Sequence, residues 1–484
     1  MGLHTTIPDM DPRLSAIART IGPDRVISTP DGMEGNLRDW SGDSHGRALA
    51  VLRPASVAEV QACVRLCVDM GLAVVPQGGN TGLVSGAQAE EEGARTVVLS
   101  LSRLNRIRRV DAENFTLEAD AGCTLQAIKD AGETADCIFP LALGAQGSCQ
   151  IGGNVATNAG GVNVLRYGMM RDLVLGVEAV MPDGSLWNGI TGLRKDNRGY
   201  DLKQLLIGSE GTLGIVTGVE LKLFPRPETI ETAYVGVASF EDAMVLLARA
   251  RRACSDLVTA FEVISSECLP MARLIDPAMA PPLGESVPVH IIIELSSSRL
   301  IDARHLLETL LADALASGLA SDAVIAQSRQ QARAFWAIRE NLVEGQARRG
   351  FHVRTDVSVR LGSVPAFIAA ARDHVAARWP GWTPQAYGHA GDGNVHFNVL
   401  PPADLPDAEA RRAGVEVTAG LYEIVHAFGG SISAEHGIGR SRRDVFWSRL
   451  DPVQKAMLGA VKSAIDPRGL MNPGCLLPPA KETT

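Results

Sequence analysis

VVPQGGNTGL, Val74 to Leu83, is the stretch on which the fold turns. Upstream, Ser56 and Glu59 have capping-box spacing, and Val57, Val60, Val64, Cys67 and Val68 keep a helical period until Gly71 supplies a stop. The apolar run Leu72 to Val75 then predicts a short strand ended by Pro76, and Gly78, Gly79, Asn80, Thr81 and Gly82 continue neither regular structure. A dinucleotide-binding βαβ unit would place G-x-G-x-x-G here and open directly into a helix, whereas this loop runs on into more small residues. No G-x-x-x-x-G-K-[ST] occurs, so nucleoside-triphosphate chemistry lacks its usual lysine and hydroxyl.

Two further glycine tracts follow: GAQGSCQIGGNVATNAGG from Gly144 to Gly161, and GSEGTLG from Gly208 to Gly214. Glycine lets backbone N–H groups face a bound group with no Cβ in the way, which is how an extended charged cofactor is gripped by main chain. One tract alone reads as tight turns in a β-rich domain. Three, with Asn80, Asn154 and Asn158 interleaved, favour the cofactor.

At 484 residues the chain exceeds what one core usually organises, and a 46% hydrophobic, 21% charged composition with 49 Gly fits a multidomain α/β or α+β enzyme. A formal charge of -9, with no basic run interleaved with aromatics, excludes nucleic acid as an expected partner. The eight cysteines are scattered without CxxC spacing and read as reduced structural thiols. No apolar stretch reaches spanning length and MGLHTTIPDM lacks a secretory pattern, so a cytosolic protein is expected. Gly2 and Thr6 match the loose myristoylation pattern, a match too short to carry weight. The prolines of Phe224-Pro225-Arg226-Pro227 mark a boundary, and the expected units are 1–226, a middle unit 227–430 covering the cofactor, and a C-terminal segment 431–484.

The sharpest chemical signal is YGHAGDGNVHFNVL, where Val395, Phe397 and Val399 alternate with His396 and Asn398 as in a half-buried strand, and His389 lies across the GDG turn. A helical pattern through Leu421, Ile424, Val425 and Phe428 stops at Gly429-Gly430; a short strand is expected next, and then Glu435-His436-Gly437. Two imidazoles and a carboxylate suit a borderline divalent metal such as zinc with a position left open for substrate, which assigns His389, His396 and Glu435 as ligands. A lone histidine reads as an ordinary core or surface group, as His426 does here; three in glycine-flanked loops beside a glutamate favour a site. His436 is then the candidate general base. Phe335, Ile338, Leu342 and Val343 predict an amphipathic helix with Arg339 on its margin, and FHVRTDVSV alternates so as to set His352, Arg354, Asp356 and Ser358 on one strand face. Arg339 and Arg354 read equally as carboxylate-binding groups and as surface ion-pair partners.

Taken together, PQGGNTGLVSGA, LGAQGSCQIGGNVATNAGG, LRKDNRGYDLKQLLIGSEGTLGIVTGVELKLFPRP, YGHAGDGNVHFNV, SAEHGIG and MNPG resemble, over nearly the whole chain, the FAD-linked D-2-hydroxy-acid dehydrogenases of the vanillyl-alcohol oxidase type, with hydroxyglutarate and lactate dehydrogenases among them. The resemblance implies an α+β fold: a two-subdomain FAD-binding domain, an α+β substrate (cap) domain and a C-terminal helical segment returning to the FAD domain. It implies that Pro76, Gly78, Gly79, Asn80, Thr81, Gly82 and Leu83 grip the pyrophosphate. Gly144, Gly147, Ser148, Gly152, Gly153, Asn154, Thr157, Asn158, Gly160 and Gly161 line the rest of the cofactor. So do Glu210, Gly211, Gly214, Ile215 and Val216, with Asn472 returning to the flavin. Asn80 stands where covalent flavin binders of the type often carry histidine, so non-covalent FAD is implied.

On the same resemblance His389, His396 and Glu435 look like the family's metal ligands, zinc or manganese, His436 like its base, and Arg339 and Asn398 like substrate contacts. Two positions depart. Val343 stands where hydroxyglutarate enzymes usually have a threonine, and Arg354 where they have a lysine, changes that redraw the pocket. The implied substrate class therefore spans D-2-hydroxyglutarate, D-lactate and D-malate. The implied acceptor is an electron-transfer flavoprotein, a quinone or a cytochrome, and a homodimer is compatible. Two alternatives remain: a non-redox or lyase-type use of the same flavin fold, as in ether-lipid synthases, and a flavin-binding subunit of a larger oxidase.

Overall fold

In the computed structural model, which describes residues 11–40, 42, 44–90, 93, 95–284 and 286–479, the helix expected after Ser56 spans Val57–Asp69. The Ser56 side chain accepts from the Glu59 N–H, while the Glu59 carboxylate reaches back to the Ala55 N–H and to Arg25 rather than to Ser56 itself. Gly71 ends the helix at φ 63°. The following strand is Ala73–Gln77, so Pro76 does not end it as the sequence suggested. The reason is position: this is the outer strand of a four-stranded sheet, where a missing proline N–H removes no ladder bond. Its order is Val26–Ile27, Ala50–Leu52, Thr96–Ser100, Ala73–Gln77, with the last three parallel. The open edge is met by the distal chain: the Val74 N–H donates to the Leu470 carbonyl and the Asn472 N–H to the Val74 carbonyl.

A five-stranded antiparallel sheet packs beside it, in the order Ile107–Asp111, Thr116–Asp120, Ile215–Lys222, Val174–Val180, Leu186–Asn188. One continuous apolar core runs through both, from Leu14 and Ile17 to Val219 and Leu221. The eight cysteines are free and buried. Residues 1–10, including Gly2 and Thr6, lie outside the described residues.

Residues 229–427 are organised on a seven-stranded antiparallel sheet: Asp322–Ile325, Thr229–Val237, Val289–Ser297, Val258–Ser265, Thr383–Gly388, Asn394–Leu400, Val357–Ser358. Helices Phe240–Cys254, Ala303–Ala316 and Val364–Arg378 bury apolar stripes against it. Helix Arg329–Arg349 crosses it, burying Phe335, Ile338, Arg339, Leu342, Gly345 and Gln346. Val343 falls one position off that stripe and is 49% exposed, against the sequence expectation. Arg339, expected at the margin, is buried instead, because an acidic partner lies beneath it. FHVRTDVSV does not form one strand either: only Val357–Ser358 is regular, with single bridges from Val353 to Val399 and from Ser358 to Ser431. Arg354 is exposed while His352 and Asp356 are buried, so these side chains share no face. The strand expected after Gly430 is reduced to that Ser358–Ser431 bridge. Among the described residues, no helix is long and apolar enough to cross a membrane.

Candidate active site

Sheet register does most of the assembly. Tyr387 pairs with both Ile264 and His396, which lines up Glu262, His389 and His396 on three neighbouring strands or their ends. Within Asn394–Leu400, Val395, Phe397 and Val399 are fully buried and His396 and Asn398 take the other face, as the alternation predicts. Gly388 makes the close approach feasible: its φ is 141°, and a Cβ there would lie 3.2 Å from the His396 ring. The Ser358–Ser431 bridge then brings Glu435 and His436 across from the end of helix Asp407–Ala427.

The three expected ligands, His389, His396 and Glu435, come together with one donor atom each, all within 4.8 Å of one another. His389 Nε2 lies 3.5 Å from Glu435 Oε1, and its ring packs edge-on to His396 at 5.6 Å. An overlapping set, Asp356, Glu435 and His436, is equally compact. The first set has the better chemistry, since Asp356 Oδ2 already accepts the N–H groups of Glu435 and His436, both at 2.9 Å. Two imidazoles and one carboxylate with an open side fit a zinc-like ion.

Two carboxylates that the sequence reading left without a role stand behind the imidazoles. Glu262, fully buried, contacts His389 Nδ1 with Oε1 and accepts from Arg339 Nε at 2.8 Å with Oε2. This fixes the His389 proton on Nδ1 and leaves Nε2 for a metal. Burial opposes ionisation of Glu262, but His389 and Arg339 outweigh it and bring the carboxyl down to about 2. In the metal-free protein, burial opposes protonation of His389, yet Glu262 and Glu435 raise it to about 9. Burial pushes Glu435 up to about 7 against the charge of His389, and lowers His396 and His436, with Asp356 pulling the other way. The signal for Glu262 was present in the sequence: a single carboxylate inside the apolar run Val258–Ser265.

Arg339 lies over the Tyr387 ring, 4.7 Å from its centroid, and its Nε is committed to Glu262. Asn398 has a full set of protein partners: Nδ2 donates to Gln346 Oε1 (2.8 Å) and Tyr387 Oη (3.1 Å), and Oδ1 accepts from the Thr355 N–H. A substrate contact at Asn398 would exchange one of these. Val343 stands one helical turn from Arg339.

The three glycine tracts also meet. A Cβ on Gly79 would fall 2.0 Å from the Ser148 carbonyl oxygen, and the N–H groups of Gly208 and Glu210 donate to Val155 and Ala156. Several expected cofactor side chains are occupied within the protein. Asn80 ties Gly35, Arg38 and Gln88, and Asn472 ties Gly86, Glu210 and Arg440. The Glu210 carboxylate accepts from the Ile438 and Gly439 N–H groups at 2.8 and 2.7 Å, joining the third tract to the loop that carries His436. Gln150 Oε1 and Asn154 Oδ1, by contrast, are buried without a hydrogen-bond partner among the described residues, as walls built for a polar ligand are. A cavity of about 470 Å³ has Thr157, Asn158 and Glu210 on one side and Glu435 and Gly437 on the other, with Tyr422, Ile432 and Phe446 supplying apolar wall. The second and third tracts thus share one cavity with the metal-ligand candidate Glu435. His426 lines it too, although it reads in the sequence as an ordinary core or surface group.

Residues 48–189 match the FAD binding domain family and residues 226–476 the C-terminal domain of FAD linked oxidases. The mitochondrial D-2-hydroxyglutarate dehydrogenase of Bos taurus is 37% identical over 472 residues, 96% of this chain and 83% of that protein. The D-2-hydroxyglutarate dehydrogenase of Xanthomonas citri pv. viticola is 36% identical over 469 residues, covering 96% and 97%. Among solved structures, alkyldihydroxyacetonephosphate synthase superposes with a TM-score of 0.77 at 16% identity, over 99% of this chain and 86% of that one. Substrate-bound p-cresol methylhydroxylase gives 0.74 at 15%, over 96% and 95%. At such identities the likeness is one of fold.

Proposed function

The chain belongs to the FAD-linked D-2-hydroxy-acid dehydrogenases, with the vanillyl-alcohol-oxidase-type α+β fold, and from that membership we propose that it oxidises a small D-2-hydroxy acid to the 2-oxo acid at a centre built of His389, His396, Glu435 and His436. The observation that carries the reading is the convergence of three ligating atoms within 4.8 Å beside a further imidazole, with Glu435 of that set lining a cavity that expected cofactor residues also line.

When bound, FAD supplies a two-electron acceptor at N5 and the divalent ion supplies Lewis acidity toward the substrate hydroxyl oxygen. His389 through Nε2, His396 through a ring nitrogen and Glu435 through a carboxylate oxygen would hold that ion. Arg339, its charge balanced by Glu262, offers its terminal nitrogens to the substrate carboxylate. His436, whose side chain is 28% exposed and whose affinity for a proton is lowered by partial burial against the pull of Asp356, takes the hydroxyl proton. By the resemblance, Val343 and Arg354 stand where the distal end of the substrate is recognised and would set chain length, with hydroxyglutarate, lactate and malate as the candidates. The FAD is held without a covalent bond, since Asn80, whose amide is no nucleophile, stands where covalent binders of the type often carry histidine. Electrons leave to a flavoprotein, quinone or cytochrome.

His436→Gln tests the assignment. The variant is expected to retain FAD and metal yet lose bleaching of the flavin by a D-2-hydroxy acid under anaerobic conditions. Bleaching at the wild-type rate would remove His436 as the base.

A further inference from the structure

We propose that Asp356 is a positioning residue that orients the His436 imidazole for proton removal, an inference that rests on the role just given to His436. Asp356 is completely buried, and it lies just before the short strand Val357–Ser358, next to the bridge that brings in the 431–436 segment. Its Oδ2 is the point to which the loop is pinned. The N–H groups of Glu435 and His436 both donate to it at 2.9 Å, and the Ala434 N–H donates to the Asp356 main-chain carbonyl. The same Oδ2 lies 3.4 Å from His436 Nδ1, with Arg442 at 3.8 Å on its other flank.

A carboxylate facing Nδ1 selects the tautomer protonated there. The lone pair then sits on Nε2, the nitrogen remote from Asp356 and the one available to a hydroxyl. When the substrate O–H proton moves to Nε2, the bond broken is O–H and the bond formed is N–H. The imidazole becomes a cation, and its charge falls beside a buried anion held in place before the reaction. Oδ1 of Asp356 has no hydrogen-bond partner among the described residues and lies 3.9 Å from His396 Nδ1, so the carboxylate keeps a free acceptor on the side of the proposed ligands. A carboxylate of purely structural duty would need only the backbone N–H groups; the 3.4 Å approach of Oδ2 to Nδ1 is what assigns it to the chemistry.

The test is Asp356→Asn in the holoenzyme, with FAD and zinc contents matched to wild type. Anaerobic stopped-flow with D-2-hydroxyglutarate, D-lactate and D-malate reads the limiting rate of flavin bleaching separately from the concentration giving half that rate. The limiting rate should fall by about 10² to 10⁴, as when a histidine is left in the wrong tautomer. The half-saturating concentration should stay within about threefold, because Asp356 acts through His436 rather than on the substrate. An unchanged limiting rate in a variant of normal FAD and zinc content overturns the inference. Should no acid bleach the wild type, it is the proposed reaction that fails. Should the variant lose FAD or zinc, histidine ¹⁵N NMR of the wild-type holoenzyme decides, with His436 assigned by its disappearance in His436→Gln. A proton on Nδ1 supports the role, and a proton on Nε2 overturns it.

Discussion

Replacing Glu262 with glutamine should weaken metal binding far more than a surface change could, although Glu262 is not itself a ligand. Its carboxylate is fully buried between Arg339 and His389. Glutamine keeps the shape and can still accept from Arg339 Nε, but it removes the counter-charge from a buried guanidinium. Losing one partner of a buried pair costs about 3–5 kcal/mol, and the retained hydrogen bond argues for the lower end, about 3 kcal/mol. The effect at the metal is separate. An amide NH₂ facing His389 Nδ1 takes its lone pair and moves the imidazole proton to Nε2, the atom required for ligation. Loss of such an outer partner typically weakens metal affinity about 10- to 100-fold. Zinc titration against a chromophoric chelator at pH 9.5, above the His389 value of about 9 so that proton competition does not differ between wild type and variant, reads this directly, with the FAD-to-protein ratio as the check on folding. Zinc affinity equal to wild type, in a variant whose melting temperature has dropped, would refute the tautomer argument and leave Glu262 as no more than the counterion of Arg339.

Val343→Thr should leave stability within about 0.5 kcal/mol, because the site is 49% exposed, and should raise kcat/KM for D-2-hydroxyglutarate relative to D-lactate by roughly 2- to 13-fold, the value of one added hydrogen bond; steady-state assays of both acids check it, and an unchanged ratio contradicts it. Because His389 is raised from 6.5 to about 9 in the metal-free protein, a proton competes with the ion below that pH, so zinc affinity should climb by about tenfold per pH unit between 7 and 9 and then level off. The sign for the metal-free fold is opposite: the His389–Glu262 interaction stabilises it fully below pH 6.5, and that contribution is lost as pH rises through about 9. Chelator competition and thermal melts across this range check both, and a flat affinity profile would contradict the first.

Local periodicity carried much of the architecture. The Ser56–Gly71 helix signals and the period-two run Val395 to Val399 are sufficient by themselves, because each element's burial pattern is written in consecutive residues. Pro76 misled because an edge position is a tertiary fact: a proline ends a strand only where its N–H would have been used. FHVRTDVSV misled because its alternation serves isolated bridges to Val399 and Ser431 rather than a ladder, and those partners lie 46 and 73 residues away from Val353 and Ser358. The grouping of His389, His396 and Glu435, the proposed ligands, was legible because they stand in glycine-flanked motifs. Glu262 and Asp356 were not read as functional, since each gains its meaning from a side chain far along the chain. Glu210, expected against the cofactor, spends its carboxylate on the Ile438 and Gly439 N–H groups, a use no local pattern announces.

The most direct test of the metal centre is anomalous diffraction at the zinc edge from crystals of the FAD-bound enzyme soaked with zinc and a D-2-hydroxy acid. One peak should lie between His389 Nε2, His396 and Glu435, with the acid's hydroxyl oxygen against it and His436 within hydrogen-bond reach of that oxygen. A peak elsewhere, or a substrate bound away from these four side chains, would contradict the account.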